Sequence, residues 1–331
     1  MNELNYHTLG KTGYKISELS FGTWAIGGAW GKTNDEESLR ALEIAIEKGV
    51  NFFDTADVYG DGHSEELLRE ATKGKEDEIY VASKFCRKGD IHDPDNYSKE
   101  AVTNYLNDTL KRLGRDTLDL YQIHCPPLEI LQEGSVFRVL DDLKAAGKIR
   151  HYGVSIETVE EGLYLLENEP GVSTLQVIFN MMRQKPLDEL FPKAVAKNVG
   201  IIARLPLASG LLTGKFNKNH TFESDDHRNF NKDGEAFNVG ETFGGLPFET
   251  GVELANKLNW IADDHGDMAQ AALKWIMQQP GVSTVIPGFK NTKQVKDNLG
   301  SVAVKDFTEA ELNRLRDFYQ EEIHQHIRGP Y

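Results

Sequence analysis

The chain has 331 residues, of which 39% are hydrophobic and 27% are charged, a balance typical of soluble globular proteins with a large core. Its formal net charge of −15 argues against binding to nucleic acid or to an anionic membrane, because both need clustered Lys and Arg. No apolar run approaches the roughly 20 residues of a membrane span, and residues 1–10 lack the apolar core of a secretory signal. The sequence therefore predicts a cytoplasmic protein.

The predicted elements start with a hairpin over residues 6–16, which is expected to plug one end of the fold. After it, short apolar runs alternate with amphipathic stretches whose apolar residues recur at helical spacing. Strands are predicted to begin near residues 19, 51, 79, 118, 149, 175, 201 and 284. Helices are predicted over 34–49, 64–70, 97–113, 136–146, 157–168, 187–197, 251–264 and 268–278, and two more begin near 291 and 309.

Eight strands that alternate with helices are typical of a closed parallel barrel, and no linker separates any two of them. No GxGxxG follows an early strand, which argues against a doubly wound open sheet. We therefore predict a single α/β domain over residues 1–331, a (β/α)₈ TIM barrel with an N-terminal hairpin and extra C-terminal helices. Residues 209–249, rich in Gly, Asn, Asp and Phe without periodicity, are predicted to form a lid or binding loop.

Polar side chains end five consecutive strands of the predicted barrel. These residues are Asp54, Lys84, His124, Ser155 and Asn180. In such barrels the reactive groups gather at the carboxyl ends of the strands. Because side chains two positions apart share one face of a strand, all five are expected to point into the mouth of the barrel.

Tyr59 is the candidate proton donor, since it lies five residues beyond Asp54 in the turn after the second strand. Asp54 can neutralise the ammonium of Lys84, and that ammonium is expected to lower the pKa of the Tyr59 phenol from about 10. Tyr59 would then protonate a carbonyl oxygen as hydride arrives, and His124 would orient the carbonyl.

Other interpretations of these residues stay open. Asp54 and Lys84 alone are compatible with a structural ion pair, and Tyr59 with simple packing in a loop. A Schiff-base aldolase would use Lys84 as nucleophile and Tyr59 as proton shuttle. A metal hydrolase using Asp57, His124 and His151 has no ligand motif in its support, so no metal is predicted.

Several segments resemble the aldo-keto reductases. They are Gly22–Trp24, Asn51–Gly60, Ser64–Glu66, Ser83–Lys84, Leu118–His124, Gly147–Arg150, Gly153–Ser155 and Ile286–Gly288. The resemblance runs in order from about Tyr6 to Leu299. It looks closest to bacterial reductases related to inositol-utilisation and general-stress oxidoreductases, and to potassium-channel β subunits.

The resemblance implies a catalytic tetrad of Asp54, Tyr59, Lys84 and His124, and hydride transfer from NADPH (NADP⁺ as product) to a small-molecule carbonyl substrate. It also implies cofactor contacts from Thr23, Trp24, Asp54, Ser155, Gln176, Asn180, Arg204, Leu207, Ser209, Gly210, Leu211, Lys215, Gly288, Lys290, Thr292, Gln294 and Asn298. Lys290, helped by Lys293, is the candidate for the 2′-phosphate, because a positive charge suits it. An NADP-binding regulatory module with slow turnover, like channel β subunits, is the alternative.

Two residues depart from the family pattern. Ile156 stands where many members have an Asn that holds the carboxamide of the nicotinamide. Arg204 stands where many members have a Tyr that stacks on the nicotinamide ring. We predict that the planar guanidinium of Arg204 stacks there instead.

The remaining expectations concern the substrate pocket. Trp24 is predicted to form an aromatic wall that fits an apolar aldehyde or ketone, with Trp30 and Tyr121 as weaker candidates. Cys86 and Cys125 lack CxxC spacing and are expected to be small apolar residues beside the mouth, where their oxidation would inhibit the enzyme. The sequence leaves open the physiological carbonyl, the use of NADH, and whether the chain is a monomer or a homo-oligomer.

Overall fold

A computed structural model describes residues 4–28 and 33–331. The hairpin consists of β1 (Tyr6–Thr8) and β2 (Lys15–Ser17), which pair antiparallel. The barrel strands are β3 (Phe21–Gly22), β4 (Phe52–Asp54), β5 (Tyr80–Phe85), β6 (Leu118–His124), β7 (Ile149–Ile156), β8 (Thr174–Ile178), β9 (Gly200–Arg204) and β10 (Val282–Val285). They pair in parallel in chain order from β3 to β10. Bridges between Leu19 and Val285 and between Gly22 and Gly288 join the two ends of the sheet, so the predicted (β/α)₈ barrel is confirmed.

The helices surround this barrel. They are α1 (Asp35–Glu47), α2 (His63–Thr72), α3 (Lys99–Leu113), α4 (Leu128–Glu133), α5 (Ser135–Ala145), α6 (Val159–Asn168), α7 (Leu190–Ala196), α8 (His227–Phe230), α9 (Phe248–Lys257), α10 (Ile261–Asp264), α11 (Met268–Met277), α12 (Thr292–Gly300) and α13 (Glu309–Phe318). Side-chain caps fix several of their starts: Asn34 accepts from the Glu37 N–H, and Thr158 with Glu161 forms a capping box. No helix in the described part of the chain is long and apolar enough to cross a membrane.

The hairpin closes the end of the barrel where the strands begin, as predicted. Leu9 and Ile16 pack inside the barrel against a fully buried apolar layer from four of its strands. That layer contains Phe52, Ala82, Leu120 and Ile202. The approach is close, because a Cβ on Gly10 would lie 2.2 Å from the backbone nitrogen of Gly200.

Three predicted elements differ in extent from the observed ones. The first strand is only Phe21–Gly22, because Leu19 forms a single bridge. The helix predicted over 251–264 is divided by a turn into α9 and α10, and Asn259, a weak helix former, lies in that turn. The predicted loop over 209–249 contains α8, the start of α9 and short 3₁₀ turns.

Candidate active site

The barrel mouth holds a buried pair between Lys84 and Asp54. Lys84, in β5, and Asp54, the last residue of β4, point inward from neighbouring strands. Nζ of Lys84 donates to Oδ1 of Asp54 at 2.5 Å and to the carbonyl oxygen of Thr55 at 2.8 Å. The two side chains are 0% and 2% exposed. Burial opposes the charge on Lys84, but Asp54 and Tyr59 outweigh burial and raise its pKa above 10.5. The ammonium of Lys84 is therefore charged at neutral pH.

Two amides from the next inward-facing positions complete the environment of Asp54. Nε2 of Gln122 and Nε2 of Gln176 donate to its Oδ2 at 3.0 and 2.7 Å. Gln122 lies in β6 two residues before His124, so the same alternation that predicts the inward direction of His124 also explains this contact. The sequence pattern alone did not identify Gln122 as a partner of Asp54.

Tyr59 reaches back to the pair as predicted. Its hydroxyl lies 3.2 Å from Nζ of Lys84, and that Nζ lies 4.8 Å from the centre of the phenol ring. The expected direction of its pKa shift was wrong. Burial raises the pKa of Tyr59 above 10.0, and Lys84 offsets this only in part while Asp54 adds to it. The phenol is therefore protonated throughout the neutral range, which suits a proton donor.

His124 ends β6 beside this phenol, with the two ring centres 6.0 Å apart. Burial, together with the cations of Arg87, Lys84 and Arg204, holds the pKa of His124 well below 6.5. Its buried Nδ1 has no hydrogen-bond partner among the described residues. A neutral ring carries one donor and one acceptor, so His124 can present Nε2–H to a carbonyl oxygen.

A second charged cluster lies beside the tetrad, and we refer to Arg87, Glu157, Arg204 and Glu241 as the four-residue network. Nη1 of Arg204 donates to Oε2 of Glu241 at 2.6 Å, and its Nη2 lies 3.5 Å from Glu157. Nη2 of Arg87 lies 3.1 Å from Glu157 and 3.3 Å from Glu241. Burial and the neighbouring Glu241 raise the pKa of Glu157, whereas the two arginines overcome burial and lower that of Glu241.

One cavity of about 700 Å³ connects this mouth to residues near the start of α12. Most of the predicted site residues line it: Trp24, Asp54, Tyr59, His124, Gln176, Arg204, Leu207, Ser209, Gly210, Lys215, Gly288, Lys290, Gln294 and Asn298. Volume and polarity are typical of a small-molecule site. Lys84 acts on this cavity through Tyr59 and is not on its wall.

Five other predicted cofactor residues are not among those that line the cavity. They are Thr23, Ser155, Asn180, Leu211 and Thr292. Thr23 donates to the backbone oxygen of Asp54 at 3.0 Å, and Asn180 donates to that of Leu205 at 2.9 Å. Oγ1 and the backbone N–H of Thr292 both donate to Glu37. Direct contact of these five residues with a cofactor stays a prediction.

The part of the cavity beyond β9 has the donors that a dinucleotide needs. Leu205, Ala208 and Ser209 have left-handed φ values of 52°, 47° and 54°, which are strained for residues other than glycine. Such turns can aim backbone N–H groups at anions, and in this one the N–H of Ala208 donates to the carbonyl oxygen of Leu205. Lys215, Lys290 and Arg228 add positive side chains on the same cavity wall. The residues present therefore fit a phosphate-bearing cofactor.

Three functional residues were missed by the sequence analysis: Arg87, Arg228 and Glu241, all on the cavity wall. Arg228 and Glu241 lie in the aperiodic segment 209–249, where no spacing pattern indicates the direction of a side chain. Arg87 follows Lys84 by three residues, and that position was the one available signal.

Of the three residues predicted to form an aromatic wall, one lines the cavity, and its contact with a substrate stays a prediction. Trp24 lines the cavity, and its ring centre lies 6.0 Å from that of Tyr59. Tyr121 was a wrong candidate, because it faces outward from β6, is fully buried and stacks on Phe85. Trp30 falls outside the described residues.

The two cysteines lie near the mouth, but the oxidation hypothesis has no physical support. Both thiols are buried, with Cys125 Sγ 3.4 Å from Ser155 Oγ and Cys86 Sγ 3.5 Å from the carbonyl oxygen of His124. Burial raises the pKa of Cys86 to about 12 and also raises that of Cys125. A buried thiol that stays protonated reacts slowly with oxidants.

The metal-hydrolase alternative is also opposed by position. His151 pairs in register with Leu120, four residues before His124, which places it about 13 Å lower along the barrel. The centre of its ring lies 5.1 Å from the centre of the Tyr14 ring, in the hairpin segment. Asp57, His124 and His151 therefore do not converge. Among the described residues, Cys125, Glu157 and Glu241 lie close enough together to hold a metal ion. The two carboxyl groups form ion pairs with Arg87 and Arg204 instead.

A profile of the aldo/keto reductase family matches residues 18–320. Aldo-keto reductase YhdN of Bacillus subtilis is 31% identical, over 88% of this chain and 87% of that protein. A probable voltage-gated potassium channel subunit beta of Arabidopsis thaliana is 28% identical, over 91% of this chain and 92% of that protein. The glycerol dehydrogenase structure from Gluconobacter oxydans has a TM-score of 0.75 at 28% identity, covering 99% of this chain and 97% of that chain. Profile, relatives and fold agree with the predicted resemblance, and the chain belongs to the aldo/keto reductase family.

Proposed function

We propose that this protein reduces aldehydes and ketones to alcohols with NADPH, and that Tyr59 is the general acid. The observation that carries the proposal is the position of the Tyr59 hydroxyl, 3.2 Å from Nζ of Lys84 and on the wall of the large cavity. Lys84 is in turn held by Asp54 at 2.5 Å. This arrangement places one proton donor beside a fixed cation, where a carbonyl oxygen can enter.

The residues divide the chemistry between them. When bound, a reduced nicotinamide supplies the hydride that the carbonyl carbon accepts. Tyr59 donates its proton to the carbonyl oxygen, and Lys84 stabilises the phenolate that remains. His124, neutral because its pKa lies well below 6.5, donates a hydrogen bond that holds the carbonyl toward Tyr59. Gln176 lines the cavity and donates a hydrogen bond to Asp54, so its side-chain amide lies beside the tetrad, where it would contact the nicotinamide.

NADPH rather than NADH is supported by the charges at the far end of the cavity. Lys290 and Arg228 both line it, and burial together with the charge of Arg228 lowers the pKa of Lys290 below 10.5. Arg228 is paired with Asp226, which partly offsets this repulsion, and a 2′-phosphate would bring further negative charge to Lys290. Arg228 joins Lys290 in this role, and the exposed Lys293, paired to Asp297, has a weaker case than the sequence suggested.

The Schiff-base alternative has the opposite requirement for Lys84. A nucleophilic lysine needs a lowered pKa and access to the substrate. Lys84 has a raised pKa, is fully buried, and gives its hydrogen bonds to Asp54, Thr55 and Tyr59. The remaining alternative is an NADP-binding regulatory module with slow turnover, and the kcat measured in the assay below distinguishes it from a reductase.

The test is a steady-state assay of NADPH and NADH oxidation against a panel of aldehydes and ketones. We expect the wild-type protein to prefer NADPH, and Tyr59→Phe to lower kcat by about 10³-fold because general acid catalysis is lost. NADPH binding to Tyr59→Phe, followed by fluorescence, should stay close to that of the wild type. Full activity of Tyr59→Phe, or trapping of a substrate on Lys84 by borohydride, would refute the proposal.

A further inference from the structure

We propose that Arg87 is a specificity-determining residue that binds a hydroxyl group next to the reacting carbonyl, so that neutral hydroxy-aldehydes and hydroxy-ketones are the preferred substrates. The proposal deepens the proposed reductase function and rests on it. It concerns which carbonyl compounds the site selects, a property that the tetrad does not determine.

The chain bends sharply to bring Arg87 to the mouth. Cys86, the residue before it, has a φ of 89°, a value that non-glycine residues rarely adopt and that occurs mostly at functional sites. Arg87 then lines the cavity together with Tyr59 and His124. Its Nε donates to the backbone oxygen of His124 at 3.3 Å. The guanidinium is thus fixed to the residue that orients the substrate carbonyl.

The hydrogen bonds of this guanidinium leave one nitrogen for a ligand. Nε is used by His124, and Nη2 is used by Glu157 and Glu241. No described residue accepts a hydrogen bond from Nη1. Because Nη1 is not one of the fully buried side-chain atoms that lack a hydrogen-bond partner, part of it is exposed. The side chain is 19% exposed. Arg87 therefore offers oriented N–H donors to an acceptor in the cavity.

The position of Glu241 favours a neutral acceptor over a carboxylate. The guanidinium groups of Arg87 and Arg204 both contact the carboxylate of Glu241, and the carboxyl group of Glu157, whose pKa is raised to about 7, adds a partial negative charge. Glu241 also lines the cavity, 3.3 Å from Nη2 of Arg87, so a bound anion would approach its negative charge. A hydroxyl group accepts from a guanidinium without this repulsion.

Aromatic rings on the same part of the wall suit the carbon atoms of such a substrate. The ring centres of Trp24 and Phe237 lie 6.2 Å apart, and the guanidinium of Arg87 lies 5.8 Å from that of Phe237. Rings beside a planar donor fit a short chain that has C–H groups on one side and hydroxyl groups on the other. The structure therefore changes the expectation of a purely apolar substrate.

The test uses three two-carbon aldehydes that differ in one substituent: acetaldehyde, glycolaldehyde and glyoxylate. In the wild type, kcat/KM with NADPH should be highest for glycolaldehyde. Arg87→Met should lower the ratio of glycolaldehyde to acetaldehyde by about tenfold, the usual effect of one hydrogen bond to a charged group. Comparing this ratio between wild type and variant cancels the hydration of the aldehydes and any general loss of activity.

Two further variants serve as controls. Lys88→Met removes the neighbouring cation, whose partner is the exposed Asp61, and should leave the ratio as in the wild type. Arg87→Met/Glu157→Gln removes one charge of each sign, so it preserves the balance of the network if the single variant folds poorly. It should show the same loss of the ratio.

Each outcome decides the proposal. An unchanged ratio in both Arg87 variants refutes the role of Arg87 while leaving the reductase function intact. A wild-type preference for glyoxylate that disappears in Arg87→Met shows that Arg87 binds a carboxylate, which refutes the neutral class. NADPH oxidation with none of the three aldehydes, nor with any larger carbonyl compound, removes the proposed function together with this assignment.

Discussion

The two ends of the barrel interior are built by the same strands and have opposite character. At the lower end, Phe52 and Ala82 pack in an apolar layer under the hairpin. Two residues further along, the same inward-facing rows present Asp54 and Lys84. Apolar burial at the lower end stabilises the fold, whereas buried charge costs free energy unless it is paired. On these two strands, the residue that stabilises the fold and the residue placed for chemistry are therefore only two positions apart.

The largest effect is expected when the charge of Lys84 is removed from the upper end of the barrel. Lys84→Met removes the cation that stabilises the Tyr59 phenolate, so we expect kcat to fall by about 10³-fold or more in the reductase assay. It also leaves Asp54 as an uncompensated buried charge, which costs about 3–5 kcal/mol of unfolding free energy.

The control for Lys84→Met is the double variant Lys84→Met/Asp54→Asn. Removal of both charges should recover much of the stability in urea unfolding but none of the activity. Activity that returns together with stability would show that Lys84 has only a structural role.

A substitution in the apolar layer at the lower end should reduce stability without changing kcat. Phe52→Ala deletes a fully buried ring of the apolar layer, and it should lower the free energy of unfolding by about 3–4 kcal/mol. Urea unfolding measures this loss, and Val195→Ala, at a side chain that is 58% exposed, should change stability by less than about 0.5 kcal/mol. A kcat in folded Phe52→Ala that falls as far as in Lys84→Met would contradict the separation of the two ends.

A smaller effect is expected from Arg204, at the edge of the mouth. Its guanidinium is held by Glu241, by the backbone oxygen of Ile156 and by Cys125, which fixes it on the cavity wall. If it stacks on the nicotinamide, Arg204→Ala should weaken NADPH binding by about tenfold and lower turnover. Cofactor affinity from fluorescence titration, compared with Arg183→Ala as a variant of another buried arginine, tests this; unchanged affinity and turnover would exclude stacking.

The smallest effect is expected from pH. The pKa of Tyr59 is raised above 10.0, so the active, protonated phenol is lost only as pH rises above the ordinary phenol range. The pKa of His124 lies well below 6.5, so the ring stays neutral as pH falls through that value. We therefore expect kcat for reduction to vary little between about pH 6 and pH 9. A limb near pH 6.5 would show that His124 must be charged or that another group controls the rate.

Much of the site was predictable because strands impose a period of two and parallel barrels gather their carboxyl ends. Asp54, Lys84 and His124 end apolar runs, so their convergence follows from chain order alone. Tyr59 follows closely enough to fold back on Lys84. The positions of Arg228 and Glu241 could not be predicted in this way, since they lie in an irregular segment whose path depends on contacts with the barrel.

The barrel, the hairpin at its lower end and the groups at the mouth could be predicted from the sequence, because hydrophobic periodicity and strand order are local properties of the chain. How those groups ionise, and which of them come into contact, depends on the folded protein. Burial reversed the expected shift of the Tyr59 pKa, and the path of the irregular segment brought Glu241 to Arg87, 154 residues away in the sequence. Desolvation and long-range pairing depend on the packed neighbours of a residue, and those neighbours are set by the fold as a whole.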